Sequence, residues 1–273
     1  PKRERDWEGA APLPARDKPA RGELLLDVDA VRKEFGGLVA VNDVSFQIRA
    51  GDIMGLIGPN GAGKSTTFNL ITGVLALTRG SVSFRGEKIA GLPSREIARR
   101  GMSRTFQHVK MIPEMTVLEN VALGGYLRTR SGTLKAMLRL DRAEEKRLFA
   151  EAEAQLQRIG MAHQMHELAG NLALGPQRLM EIARALCTDP ALLLLDEPAA
   201  GLRHKEKQAL GDVLRQLKAE GMSILLVEHD MEFVMGLTDR IVVMEFGTKL
   251  MEGSPQEVQE SPAVRAAYLG TEH

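Results

Sequence analysis

Short apolar runs alternate with longer amphipathic segments along most of the chain. The apolar runs have the length and composition of strands, at residues 24–31, 44–48, 52–57, 81–85, 191–195, 224–228 and 240–245. Two other segments repeat apolar positions every three or four residues, which predicts helices over 141–159 and 175–187. Such alternation is typical of a largely parallel sheet that is covered by helices on both faces. We therefore expect an α/β core that is interrupted by a helical middle section.

Local signals place several helix ends. Thr116 and Glu119 have the spacing of a capping box, which predicts a helix start. Gly160 directly follows an amphipathic segment and predicts its end. Ser254 followed by Pro255 predicts a short helix near the end of the sequence, because serine caps helices and proline is tolerated in their first turn.

These signals divide the sequence into five segments. Residues 1–22 are rich in Pro, Arg, Lys and Glu, which predicts a disordered leader without a secretory signal. The remaining segments are a first part of the core (23–105), a helical subdomain (106–172), a second part of the core (173–253) and a helical tail (254–273).

A glycine-rich segment after the third predicted strand carries the first chemical signal. It consists of Gly58, Pro59, Asn60, Gly61, Ala62, Gly63, Lys64, Ser65 and Thr66. Main-chain N–H groups of such a loop surround phosphate oxygens, and the helix that follows directs its positive end at the same anion. In this pattern Lys64 reaches the β- and γ-phosphates, and the Ser65 hydroxyl suits Mg²⁺. The segment predicts a nucleoside triphosphate site in preference to a strand–helix turn that binds nothing.

Polar side chains follow two other predicted strands. Asp196 and Glu197 come after four leucines, at the edge where open α/β sheets bind ligands. Asp196 suits the shell of a magnesium ion, and Glu197 is placed to orient or deprotonate an attacking water. His229 follows another apolar strand and can hydrogen-bond a γ-phosphate. Alone, the acids also fit a helix cap and the histidine a structural role; the glycine-rich loop favours catalysis.

Composition narrows the class of protein. Lys plus Arg and Asp plus Glu number 36 each among 273 residues, so nothing in the charge points to nucleic acid. The apolar runs are far shorter than the roughly 20 residues of a membrane-spanning helix. Cys187 is the single cysteine, which predicts no disulfide framework and a reducing compartment.

Taken together, residues 58–66, residues 192–198 and His229 resemble the ATP-binding subunit of ABC transporters. Further segments are similar to the branched-chain amino-acid importer subfamily, namely 35–37, 105–108, 199–202, 228–231 and 267–270. The resemblance covers about residues 24–270. It implies an α/β P-loop NTPase core with a mixed, largely parallel sheet and an inserted α-helical subdomain, which binds and hydrolyses ATP with Mg²⁺.

The resemblance also assigns roles that the pattern alone does not. Phe35 matches the aromatic residue that stacks on adenine, and Gln107 matches the glutamine that touches Mg²⁺ and the attacking water. The apolar residues after Gln107 fit two interpretations, a surface beside the membrane partner or the packing of the helical subdomain. These residues are Val109, Met111, Ile112 and Met115.

In this family two ATPase subunits meet head to tail, and each ATP lies between the phosphate loop of one and the signature segment of the other. The matching segment here is Leu172, Ala173, Leu174, Gly175, Pro176 and Gln177, which would act on the partner's ATP. It departs from the family pattern, since Ala173 lacks a hydroxyl donor and Pro176 lacks a backbone N–H. Arg203 is a second departure, at a position where the family usually has Asp or Asn. We therefore expect pairing with a different ATPase chain and two unequal sites.

The resemblance further implies two transmembrane permease subunits and, indirectly, a solute-binding protein. The chain would lie at the cytoplasmic face of the inner membrane as a peripheral subunit that powers uptake of branched-chain or related amino acids. Two alternatives remain: an ATPase for lipid or lipopolysaccharide export, and a nucleotide-binding regulatory module with little turnover. A P-loop kinase fits less well, because the Asp196–Glu197 pair suits water as the nucleophile.

Overall fold

The computed structural model describes residues 7–105, 111–128 and 142–269. Over these residues the chain forms two compact units. The helical unit comprises the described parts of residues 1–17 and 105–190. The sheet unit comprises residues 18–104 and the described part of 191–273.

The sheet unit holds two sheets. Its strands are β1 (Leu24–Phe35), β2 (Leu38–Arg49), β3 (Ile53–Ile57), β4 (Arg79–Phe84), β5 (Glu87–Lys88), β6 (Met102–Arg104), β7 (Leu192–Asp196), β8 (Ser223–Val227), β9 (Arg240–Glu245) and β10 (Thr248–Gly253). The larger sheet has the order β10-β9-β3-β8-β7-β6, and all of its neighbours are parallel except β10 and β9. Every residue of β3, β7 and β8 is buried, as expected for aliphatic strands covered on both faces. The predicted mixed, largely parallel sheet is confirmed.

The smaller sheet is antiparallel, with the order β2-β1-β4-β5. β1 and β2 form a long hairpin whose turn is Gly36–Gly37, and both glycines have positive φ. This hairpin was not expected, because the sequence analysis places shorter strands at 24–31 and 44–48. The alternation of apolar and polar residues weakens toward the turn, where the strands are held by their mutual backbone pairing instead.

Nine helices lie within the described residues: α1 (Lys64–Ile71), α2 (Ser94–Arg99), α3 (Val117–Ala122), α4 (Arg142–Arg158), α5 (Leu174–Leu186), α6 (His204–Ala219), α7 (Met231–Met235), α8 (Pro255–Glu260) and α9 (Pro262–Leu269). α1 contacts β1 and β2 of the small sheet and β8 of the large sheet, so its side chains join both into one core. α8 begins as predicted, with the Ser254 hydroxyl accepting from the Glu257 N–H and Pro255 in the first turn.

The helical unit packs α3, α4 and α5 against one another. α3 starts at the predicted capping box, in which the Thr116 hydroxyl accepts from the Glu119 N–H and the Glu119 carboxylate accepts from the Thr116 N–H. The predicted apolar face of α4 is buried at Leu148, Ala152 and Leu156. The periodicity of the sequence therefore identifies the core of this unit correctly.

The boundary of the helical unit differs from the sequence-based division at residue 172. The structure carries this unit on to Pro190, so that α5 belongs to it. The reason is that α5 buries Met180, Ile182 and Ala183 and contacts α3 and α4. The sequence pattern shows that this helix has an apolar face, but it does not show which of the two units packs against that face.

Residues 7–17 belong to the helical unit and are packed, which differs from the disordered leader expected over residues 1–22. The Trp7 ring stacks on Phe149 with 5.1 Å between ring centroids, and its Nε1 donates to Glu153 Oε2 over 2.6 Å. Leu13 is buried as well. Hydrogen bonds hold the segment as well, since Arg128 Nη2 donates to the Pro14 carbonyl oxygen over 2.6 Å and the Arg16 N–H donates to Asp189 Oδ2. Residues 1–6 of the expected leader lie outside the described residues.

None of the helices in the described ranges combines the length and the apolar character that a membrane crossing requires.

Candidate active site

The glycine-rich loop connects β3 to α1, as the sequence predicts. Gly58, Gly61 and Gly63 have positive φ angles of 155°, 80° and 94°. A Cβ at Gly58 would lie 2.2 Å from the Met244 carbonyl oxygen, and one at Gly63 would lie 2.8 Å from the Ala40 carbonyl oxygen. Both positions therefore need glycine for conformation and for space. The loop thus runs close to the backbone of Ala40 and Met244, and its own Ala62 N–H donates to the Pro59 carbonyl oxygen over 3.1 Å.

Lys64 is the first residue of α1 and is buried. Its Nζ donates to the carbonyl oxygens of Gly58 and Pro59, over 2.6 and 2.9 Å. Burial lowers the pKa of Lys64, and the charge of Glu197 opposes this effect. A buried ammonium group that is held by carbonyl oxygens is prepared to meet an anion, because an anion would restore the charged form that burial disfavours.

The loop forms the floor of a cleft of 440 Å³. The lining residues are Leu38, Val39, Ala40, Asn60, Gly61, Ala62, Gly63, Lys64, Ser65, Thr66, Glu197, Phe246 and Gly247. Glu197 thus lines the same cleft as Lys64 and Ser65. This volume suits a ligand of the size of a nucleotide.

Asp196 is the last residue of β7, and Glu197 follows it with φ of 47°. A left-handed backbone at a residue other than glycine costs energy and is frequent at functional sites. The Glu197 N–H donates to the carbonyl oxygen of Val227, at the end of the neighbouring strand β8, over 2.9 Å. The strained turn and this hydrogen bond direct the Glu197 side chain to the cleft.

Arg104 was not among the predicted site residues. Its Nη2 lies 3.5 Å from Asp196 Oδ2, and its Nη1 donates to Asn69 Oδ1 and Thr72 Oγ1 of the α1 segment. The guanidinium group also lies 4.7 Å from the centroid of the Phe68 ring. Arg104 therefore connects the end of β7 to the helix that follows the phosphate loop.

His229 lies just after β8, and its side chain is 55 % exposed. Its Nδ1 is 3.9 Å from Glu197 Oε1. The structure thus brings together the two residues that the sequence analysis placed at separate strand ends. By contrast, His163 and His166 lie exposed in the helical unit, in line with the absence of a supporting motif around them.

The hairpin of β1 and β2 supplies one wall of the cleft. Phe35 ends β1 with 45 % exposure, and Lys33 Nζ lies 4.9 Å from its ring centroid. The hairpin residues that line the cleft come after it, at Leu38, Val39 and Ala40. Phe246, in the turn between β9 and β10, also lines the cleft and is 87 % exposed. The sequence pattern does not indicate these residues, because only the pairing of strands brings them next to the loop.

The predicted signature segment lies at the start of α5 in the helical unit. Ala173 is the N-cap residue and offers no side-chain acceptor to the helix. Pro176 falls in the first turn, where a missing N–H breaks no intrahelical hydrogen bond. Gln177 closes the segment, because its N–H donates to the Ala173 carbonyl oxygen and its Nε2 to that of Leu172. Gly175 is buried and Leu174 is exposed.

Gln107 and Val109 lie outside the described residues. Of the other apolar residues in this part of the chain, Ile112 is 40 % exposed, whereas Met111 and Met115 are half-buried. Asn120 of α3 is fully buried and holds this segment, since its side chain accepts from the Ile112 N–H and donates to the Ile112 carbonyl oxygen. An apolar segment that is fixed from beneath and partly exposed is compatible with both interpretations given above.

Residues 41–200 match the profile of the family described as "ABC transporter". The chain belongs to this family. Residues 248–273 match a second profile, described as "Branched-chain amino acid ATP-binding cassette transporter". The chain is accordingly an ATP hydrolase of the ABC transport type, with the fold that the sequence analysis expects.

Curated relatives cover nearly the whole chain. It is 44 % identical over 249 residues to the high-affinity branched-chain amino acid transport ATP-binding protein LivG of Salmonella typhimurium, which covers 90 % of this chain and 98 % of the relative. The corresponding LivG protein of Escherichia coli K12 is 43 % identical over the same length. The branched-chain amino acid transport protein BraF of Pseudomonas aeruginosa is 40 % identical, also over 249 residues.

Solved structures show the same fold. An ATP-binding cassette of an ABC transporter in its ADP conformation superposes with a TM-score of 0.80 and 31 % identity, over 91 % of this chain and 99 % of the other. A nucleotide-free cassette gives a TM-score of 0.79 and 32 % identity, over 90 % and 99 % of the two chains. The arrangement of strands and loop described above is therefore that of an ATP-binding cassette.

The donor atoms of the site also suit magnesium. Ser65 is exposed at the start of α1, and Asp196 is the last residue of β7. The hydroxyl and the carboxylate are both hard oxygen ligands of the kind that Mg²⁺ prefers. Within the described residues no group of three or more His, Cys, Asp or Glu side chains is arranged to hold a metal ion. Mg²⁺ in nucleotide sites usually keeps several waters and takes further ligands from phosphates.

Proposed function

We propose that this chain is the ATP-hydrolysing subunit of an importer for branched-chain or related amino acids. The observation that carries the solute class is the match of residues 248–273 to the profile of branched-chain amino-acid cassettes. The transport proteins LivG and BraF, aligned over 249 residues, support the same class. This chain supplies the energy of transport, whereas the membrane subunits and a solute-binding protein select the solute.

The residues around the cleft have separate proposed roles in binding and hydrolysing ATP. The main-chain N–H groups of residues 58–66 and the Lys64 ammonium group bind the phosphates. Ser65, Asp196 and Gln107 would hold Mg²⁺, which would supply positive charge to the phosphate oxygens when bound. Glu197 orients the attacking water and accepts its proton, and His229 donates to the γ-phosphate. Phe35 provides an apolar face for the adenine ring.

A second ATPase subunit completes each site in this proposal. It binds head to tail, so that residues 172–177 of this chain contact the partner's ATP. Ala173 and Pro176 provide fewer hydrogen-bond donors than serine and glycine would, and each lost contact weakens the hold on phosphate by roughly 1–3 kcal/mol. The partner is therefore a different chain, and the site built on this chain's Lys64 and Glu197 is the stronger one.

The unequal sites are tested in the assembled transporter. Glu197→Gln in this chain should reduce turnover more than the matching substitution in the partner ATPase. Equal losses would contradict the proposal of unequal sites, but they would leave the hydrolytic role of Glu197 intact.

The importer role is tested by reconstitution. The tagged chain is purified from membranes with the subunits that accompany it, which we expect to be two permease chains and a second ATPase. Proteoliposomes of this complex should accumulate labelled leucine, isoleucine or valine when ATP and the solute-binding protein are present. The Glu197→Gln complex is the matched control, since it should still bind ATP but turn it over much more slowly. Extraction of a lipid by the wild-type complex, without amino-acid uptake, would overturn the proposal in favour of export.

A further inference from the structure

Glu228 is a fully buried acidic residue between β8 and His229. Its N–H continues the strand pairing toward the Leu56 carbonyl oxygen, at 3.4 Å. The side chain therefore points away from the solvent that His229 faces. A carboxylate in such a place is costly unless polar groups compensate for the water that it loses.

Three backbone N–H groups provide this compensation. Glu228 Oε1 accepts from the Ala199 N–H over 2.7 Å. Its Oε2 accepts from the N–H groups of His229 and Asp230, over 3.1 and 3.4 Å. Burial raises the pKa of Glu228, and these three N–H groups together with the nearby His229 ring oppose the effect. An ionised carboxylate accepts hydrogen bonds on both oxygens and therefore matches these N–H donors. An amide side chain does not, because its NH₂ group would face an N–H donor.

The two oxygens belong to two different catalytic turns. Ala199 lies two residues after Glu197, in the turn that leads from β7 toward α6. The other oxygen holds the turn that carries His229 at the end of β8. One buried side chain thus connects the backbone behind the proposed water-activating residue to the backbone of the proposed γ-phosphate donor.

A second contact supports the same turn from outside. Lys207 of α6 forms an ion pair with Asp230, which also caps α7 by accepting from the Phe233 N–H. Partial burial acts to raise the pKa of Asp230, but its hydrogen bonds to Lys207 and Phe233 outweigh this effect, so the pKa is lowered. His229 is consequently held between an inner carboxylate and an outer ion pair. Glu228 contacts Ala199 and Asp230 contacts Lys207, so both contacts reach the segment 199–207. This segment includes Arg203, which departs from the family pattern.

We infer that Glu228 is a positioning residue for hydrolysis: it fixes the His229 turn relative to Glu197 and passes displacements of the Ala199 segment on to His229. The inference rests on the proposed roles of Glu197 and His229. Glu228 does not touch the nucleotide, so its loss should affect the rate of hydrolysis and leave ATP binding almost unchanged.

The test compares Glu228→Gln with Glu232→Gln in the full chain, assembled with its partner subunits. Glu232 is an exposed residue of α7, so its substitution removes a carboxylate from the same region and leaves the three hydrogen bonds of Glu228 in place. We expect Glu228→Gln to lower kcat about tenfold or more, because the amide NH₂ opposes the N–H groups it must face, while KM and nucleotide affinity stay within about twofold. Glu232→Gln should resemble the wild type. Equal kcat in the two variants would overturn the inference.

A double-mutant cycle separates positioning from a general loss of structure. Glu228→Gln should lower turnover in the wild-type background and have little further effect in a His229→Ala background, since it acts through His229. Equal fold-losses in both backgrounds would overturn the inference. If Glu228→Gln does not fold, Glu228→Asp takes its place, because it keeps the charge but shortens the reach to Ala199. Normal turnover of that variant would contradict the inference. A wild-type complex without any hydrolysis would instead contradict the proposed function.

Discussion

His229 Nδ1 lies 3.9 Å from Glu197 Oε1, across the ends of two adjacent parallel strands. The pairing of Asp196 with Val227 sets this distance, because Glu197 and His229 each follow within two residues of that pair. A γ-phosphate that is bound by the loop at the end of β3 would face both side chains, since β3 lies on the other side of β8. The parallel register of three strands therefore assembles the proposed hydrolytic site.

The first prediction concerns Glu197. Glu197→Gln keeps the size of the side chain but removes its ability to accept a proton, so phosphate release by the assembled complex should fall by about 10²–10⁴-fold. ATP affinity should remain close to that of the wild type. Glu260→Gln, at an exposed position of α8, is the control and should leave the rate unchanged. Substantial turnover by the Glu197→Gln variant would assign the activation of water to another group.

The sequence best predicts those features that depend on residues close to one another along the chain. The capping box at Thr116 and the serine cap at Ser254 are present as expected, because a hydroxyl just before a helix can accept from an N–H of its first turn. The course of the chain from β3 through Lys64 into α1 also follows from its local pattern. Family resemblance then identifies the type of cassette.

The features that the sequence does not predict depend on distant contacts. Phe246 lines the cleft because the turn between β9 and β10 meets the phosphate loop, where the Gly247 N–H donates to the Ala62 carbonyl oxygen. Trp7 packs on Phe149, 142 residues away along the chain, although the surrounding composition is typical of disorder. Glu228 reads as one more acid at a strand end, and only its three hydrogen bonds show what it holds.

The second prediction concerns the phenol of Tyr268 on α9. Burial raises the pKa of Tyr268 to about 12, with an opposing contribution from a backbone hydrogen bond of Gly58. Since the ordinary value is 10.0, the neutral phenol stabilises the fold at pH values below about 10, and this stabilisation is lost as the pH rises toward about 12. The ultraviolet absorbance of phenolate, followed in a Tyr126→Phe variant, isolates Tyr268 because the chain has two tyrosines. Titration of the folded Tyr126→Phe variant near pH 10 would contradict the burial of the Tyr268 phenol.

The third prediction uses the single cysteine. Cys187 is buried at the end of α5, and its burial, followed by the negative charge of Glu151, raises the pKa of the thiol. A thiol reagent should therefore modify the native chain on the order of 100-fold more slowly than the chain in denaturant. A Cys187→Ser variant gives the background of the assay. Equally fast reaction of native and denatured chains would show that the helical unit opens readily at this helix.

The fourth prediction concerns the contact between Trp7 and the helical unit. Trp7 is the only tryptophan and is 5 % exposed, so its emission should lie at shorter wavelength in the native chain than in denaturant. Phe149→Ala removes the ring on which it stacks and should shift the native emission toward that of the denatured chain. Phe246→Ala, in the sheet unit, is the control and should leave the emission unchanged. The absence of any shift in Phe149→Ala would contradict the packing of residues 7–17.

The central claim is that a triphosphate binds between the main-chain N–H groups of residues 58–66 and the buried ammonium group of Lys64. Calorimetric titration of the full chain with MgATP tests it most directly, with Lys64→Ala compared against Lys205→Ala, an exposed lysine of α6. We predict that Lys64→Ala weakens binding by about 10–100-fold, as expected for the loss of a charged hydrogen-bond donor, and that Lys205→Ala binds like the wild type. Equal affinity of the two variants for MgATP would contradict the account.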